Sequence, residues 1–95
     1  MKNKPWSDSE NQIVIDAYFE LKTLIQKGNI NITKFINQIS EANQLNRSKR
    51  AVECKFQNIS AILQLNNHTF LQNFKPYSNY QKSLEIKVLE KIKFD

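Results

Sequence analysis

Apolar residues recur along this chain with the spacing of helices. Val14, Ala17, Tyr18, Leu21 and Ile25 stand three or four positions apart and make one stripe. Ser7 and Glu10 precede it at the spacing of a capping box, in which each side chain bonds the other residue's backbone N–H. Gly28 follows where a helix end favours a left-handed residue. A second helix is expected to begin after Asn31 or Thr33, with Ile32, Phe35, Ile36 and Ile39 on its buried side. Asn43, Gln44 and Asn46 form a polar break around Leu45. A third helix, capped by Ser48 or Asn46, runs to about Leu65, with Val52, Phe56, Ile59 and Leu63 as its stripe. Asn66 to Tyr77 reads as a loop with room for one helical turn at His68–Leu71, because Pro76 disfavours helical angles at Lys75. A fourth helix from Ser78 or Asn79 carries Leu84, Val88, Leu89 and Ile92.

Composition agrees with this order of elements. The chain of 95 residues holds one Gly and two Pro, too few turn formers for an all-β fold. Its length suits one domain spanning residues 1–95 with one core, and 40% hydrophobic residues argue against general disorder. The expected fold is therefore all-α: a tri-helical, helix-turn-helix-like core with an added C-terminal fourth helix.

Charge narrows the function. Fourteen Lys and Arg against nine Asp and Glu leave a net charge of +5, which points to an anionic partner, nucleic acid first. Position supports this. At about 100° per residue, Val52, Phe56, Ile59 and Leu63 lie within about 40° of one line. Opposite them lie Arg50, Glu53, Cys54, Gln57, Asn58 and Ala61. Arg pairs with guanine, Gln and Asn with adenine, and Glu accepts from cytosine, so this face has the groups that read base edges. Cys54 and Ala61 are small enough to let a helix approach closely. Arg47, Lys49 and Lys55 flank the face as phosphate anchors, and the helix start adds free N–H groups. Lys75, on the loop, completes the candidate set.

Two resemblances bear on the same residues. Trp6-Ser7-Asp8-Ser9-Glu10 at the first helix, Arg47-Ser48 at the start of the third and the aromatic Phe56 resemble Myb/SANT-like domains across Pro5 to Leu63. The later tryptophans of that family are absent. The run from Lys55 to Leu63, followed by Phe74-Lys75-Pro76-Tyr77-Ser78-Asn79-Tyr80-Gln81, resembles the N-terminal domain of McrA-like, modification-dependent HNH restriction endonucleases, from Trp6 to about Leu89. That resemblance implies a target-selecting DNA module, its nuclease half lying outside this chain, and it includes a fourth helix. Any sensing of modified bases is implied by that family alone. The same resemblance gives Gln57 and Asn58 a second reading, as a polar pair that holds the 75–81 loop in place.

Other chemistry finds little support. With Cys54 and His68 each the single residue of its kind, neither a disulfide within the chain nor a Cys/His zinc site is expected. Cys54 has basic neighbours but no base to activate it, so a small spacer is the better reading. His68 reads as a surface residue, and Trp6 as a lid across the first and third helices. Tyr77 and Tyr80 read as loop packing ahead of base stacking. The carboxylates are scattered and no glycine loop could cradle a phosphate, so no catalysis and no cofactor are expected. No run of about 20 apolar residues exists and the N-terminus lacks a signal segment, so a cytoplasmic protein is expected. The expected partner is double-stranded DNA, together with a nuclease domain or a second copy of the chain, with no membrane and no small-molecule substrate. The rival readings are a SANT-like protein-interaction module and a small phage or mobile-element inhibitor.

Overall fold

The structure, a computed structural model, describes residues 5–41 and 45–94, the side chain of Phe94 excepted. Asn43 and Gln44 of the expected polar break lie outside the described residues. Four helices follow in order: α1 (Asp8–Lys27), α2 (Ile32–Glu41), α3 (Lys49–Leu65) and α4 (Lys82–Phe94), and the fold is all-helical. Helix α3 packs against each of the other helices, and α1 also meets α2 and α4.

The ends of the helices follow local chemistry. Ser7 caps α1 with the full capping box: its Oγ accepts from Glu10 N and the Glu10 carboxylate accepts from Ser7 N. Gly28 closes α1 at a positive φ of 146°, with its N–H on the Leu24 carbonyl, although its ψ of −147° is not the left-handed helical value. Asn31 Oδ1 accepts from Lys34 N at the start of α2. Of the two candidate caps for α3, Ser48 does the work, accepting from Ala51 N at 3.1 Å. Asn46 instead takes the left-handed φ of 51° that lets the chain turn into the helix.

The core stripe of α1 is as expected, with Val14, Ala17, Tyr18 and Leu21 buried, and Ile15 joins it. Phe35 and Ile36 bring α2 to the same core, and Leu84 and Val88 bring α4. Each fully buried side chain of this size contributes roughly 1.5–3 kcal/mol.

The third helix departs from the expected narrow stripe. Every residue from Asn58 to Leu63 is buried, so this stretch is covered on all sides, while Gln64 and Leu65 at the end of the helix are exposed. The cover is the segment between α3 and α4. Leu71 and Phe74 drop into the core from it. The Phe74 ring meets Phe56 edge-on at 5.1 Å, and Phe56 meets Tyr18 in the same way at 5.4 Å. The Tyr18 hydroxyl accepts from Leu71 N at 2.9 Å and bonds Ser60 Oγ at 2.7 Å, which satisfies three buried polar groups at once. Burial pushes the Tyr18 phenol above its ordinary value. No helical turn forms at His68–Leu71; the turn comes later, where Phe74 N reaches the Leu71 carbonyl. Helix α4 starts at Lys82, three residues beyond Asn79, because the chain through 77–81 is committed to α3.

Candidate nucleic-acid interface

The four basic residues singled out along α3 and its approach separate into an inner and an outer pair. Arg47 turns inward. Its Nε donates to Glu10 Oε2 at 3.0 Å and its Nη2 to Glu10 Oε1 at 2.8 Å, a two-pronged ion pair, and Nη2 also reaches the Pro5 carbonyl at 3.0 Å. The guanidinium lies 4.7 Å from the centroid of the Trp6 ring. This arrangement holds the Glu10 carboxyl well below its usual range, at about 2, chiefly through the hydrogen bond from Arg47. The guanidinium that sequence reasoning offered to phosphate is thus occupied with the start of α1.

Lys55 turns inward as well and is 7% exposed. Its ammonium lies 5.0 Å from the Trp6 ring centroid and donates to Gln81 Oε1 at 2.8 Å. Desolvation, helped by the nearby Arg47 charge, lowers its pKa to about 8. Gln81 also accepts from Asn11 Nδ2 and donates to the Trp6 carbonyl, both at 3.5 Å. Asn11 is fully buried, and its Oδ1 has no hydrogen-bond partner among the described residues. Trp6 is therefore a lid over the core, as expected, but one held down by two cations.

Asn58 is also structural. Its Nδ2 donates to the Tyr77 carbonyl at 2.8 Å and to the Asn79 carbonyl at 3.3 Å, and Tyr77 N donates to the Gln57 carbonyl at 3.1 Å. This is the loop-holding alternative that the sequence left open. Ala61, expected on the reading face, is 3% exposed. Arg47, Lys55 and Asn58 thus leave the outward set for one physical reason, a bond to a segment distant in sequence, and Ala61 leaves it because it is buried.

What remains is compact. Lys49, Arg50 and Cys54 are exposed on the first turns of α3, and Glu53 and Gln57 are half-buried beside them. The side chains of Lys49, Arg50, Glu53 and Gln57 make no hydrogen bond or ion pair with another described residue. Arg50, Glu53, Cys54 and Gln57 line a hollow of about 360 Å³ together with Asn73 and Phe74 of the covering segment. Exposed Lys75 follows Phe74 directly. Asn73 and Phe74 were not among the candidate site residues, since nothing in their local pattern shows which helix face they meet. His68 is exposed, Tyr77 is exposed, and Tyr80 packs partly buried against the core.

Comparison of the chain with protein families, with curated proteins and with solved structures finds no match in any of the three. Among the described residues, no helix is long and apolar enough to cross a membrane.

Proposed function

We propose that the protein binds double-stranded DNA through the open first half of α3. The observation that carries this reading is the uncommitted outer set: Lys49 and Arg50 at the helix start, with Glu53, Cys54 and Gln57 on the following turns. In helix-turn-helix proteins the early residues of the recognition helix reach the base edges, and here those turns are the part left uncovered. Lys49 and Lys75 take phosphates, and Arg50, Glu53 and Gln57 meet base edges. The role of target-recognition module for a restriction-type nuclease, or of a free-standing relative, rests on the resemblance of the Lys55–Leu63 and Phe74–Gln81 runs, and so does any selectivity for modified bases. One contact patch on one domain binds weakly, so tight binding requires a dimer or a tethered second domain.

Fluorescence anisotropy with a labelled duplex at several salt concentrations tests this. Affinity should fall steeply with salt, Lys49→Ala should lower the salt slope by about one, and Arg50→Ala should weaken binding about tenfold. Absence of binding to every duplex, plain or methylated, overturns the proposal. A second reading, a protein-interaction module, is favoured by Ile86 and Leu89, which stand one turn apart and partly exposed on α4. It predicts a stable protein complex that survives Arg50→Ala and is lost on Ile86→Asp.

A further inference from the structure

The hollow beside α3 is more than the polar side of a helix. A helix entering the major groove presents a convex surface to a recessed row of base edges, and such a row cannot fill a concavity. The space of about 360 Å³ between α3 and the 71–74 turn, open to solvent on one side, has room for a group that projects out of the duplex. Its size falls at the low end of the range for small-ligand sites, roughly 300–1,000 Å³.

The lining says which group. Phe74, fixed edge-on against Phe56 and only 6% exposed, gives the mainly polar hollow a small apolar strip. The Gln57 and Asn73 carboxamides come from opposite walls, one on the helix and one on the turn, and each offers both a donor and an acceptor. Neither side chain is hydrogen-bonded to another described residue. Glu53 adds a carboxylate, which repels a phosphate and accepts from an amino group. Arg50 also lines the hollow and is exposed. An unstacked base has this set of needs. It has lost its pairing partner, its polar edge must be satisfied again, and its ring seeks an apolar contact.

We propose that this hollow receives a single nucleobase bearing an amino group, unstacked from the duplex that α3 contacts. Gln57 and Asn73 bond its pairing edge, Glu53 accepts from its amino group and Phe74 touches the edge of its ring; at this one position Gln57 and Glu53 meet the extruded base in place of a stacked base edge, while Arg50 keeps to the neighbouring base pair. The inference rests on the duplex-binding reading above and adds a position-specific subsite to it. It also gives the covering segment a role in choosing the base, in addition to holding α3 in place.

The test compares the full chain on duplexes of equal length: one fully paired, the others carrying a single bulged cytosine, adenine or thymine. Affinity is read by anisotropy and unstacking by the fluorescence of aminopurine placed at the bulge. The bulged cytosine and adenine duplexes are expected to bind about tenfold tighter than the paired one, with thymine gaining less. Aminopurine emission should change on binding. Asn73→Ala, on an exposed side chain, should bring the ratio of bulged to paired affinity towards one with the far-ultraviolet circular dichroism unchanged. Equal affinity for paired and bulged duplexes overturns the inference and leaves duplex binding standing. A thymine bulge bound best overturns it as well. Failure to bind any of these duplexes overturns the duplex reading, and this inference with it.

Discussion

Arg47 and Arg50 are three residues apart, and the fold uses them in opposite ways. Arg47 is clamped to Glu10, the Pro5 carbonyl and the Trp6 face, whereas Arg50 stands at the rim of an open hollow without an ion-pair partner among the described residues. Lys55 and Lys49 repeat the contrast, one held under Trp6 by Gln81 and the other exposed. Inner cations join α1 to α3; outer cations are available to a ligand. A cluster of positive charge in a sequence therefore has no single meaning, and a Trp with a Glu nearby in space is enough to convert half of it into architecture.

The widest separation between the two arginines should appear in stability. Arg47→Ala breaks a two-pronged pair that is largely shielded from water, so urea denaturation should show a loss of about 2 kcal/mol. Arg50→Ala should shift stability by less than about 0.5 kcal/mol, its effect falling on duplex affinity. Equal losses from the two substitutions would erase the contrast. A smaller effect is expected from acid. Because the Glu10 carboxyl sits at about 2 in the folded chain against 4.5 unfolded, its stabilisation is complete above 4.5 and drains away as pH falls towards 2. Partial exposure of the pair trims its size. A Glu10→Gln variant should be less stable at neutral pH, with a flatter acid limb in thermal melts.

The smallest effect concerns Lys55. The unfolded chain keeps that proton up to 10.5 and the folded chain only up to about 8, so stability should rise as pH climbs between the two values. Lys55→Met keeps the apolar stem and removes the buried charge. It should change stability near neutral pH by less than about 1 kcal/mol and remove this alkaline rise. A severe loss in the Met variant would mean that the ammonium's bond to Gln81 outweighs the cost of burying it.

Helical periodicity made most of the fold legible in advance. The α1 stripe, its capping box, the Ser48 cap and the Phe35–Ile36 face were all readable because the residues that make them are neighbours in sequence. The site was less legible. An angular plot of α3 put Asn58 and Ala61 on the same outward face as Arg50, since such a plot has no knowledge of the 66–81 segment. That segment carries no periodic signal, and its attachment depends on Tyr18, Ser60 and Asn58, which lie far back in the chain. The late start of α4 has the same origin. Lys55 misled for a different reason, because a lysine can run its apolar stem through a core and end on an aromatic face.

The attachment of α4 has a consequence for how much of α3 is on offer at any moment. Leu84 and Val88 are the side chains it buries fully. A helix of 13 residues barely persists in water without such contacts. Gln81, just ahead of α4, spans 75 positions to the Trp6 carbonyl; Tyr77 is held by the Asn58 carboxamide and the Gln57 carbonyl, and Asn79 by Asn58. Leu84 and Val88 share one core with Leu71 and Phe74, so α4 and the segment that covers α3 are held by the same packing. How much of α3 stays open is thus set by how firmly the last helix is latched.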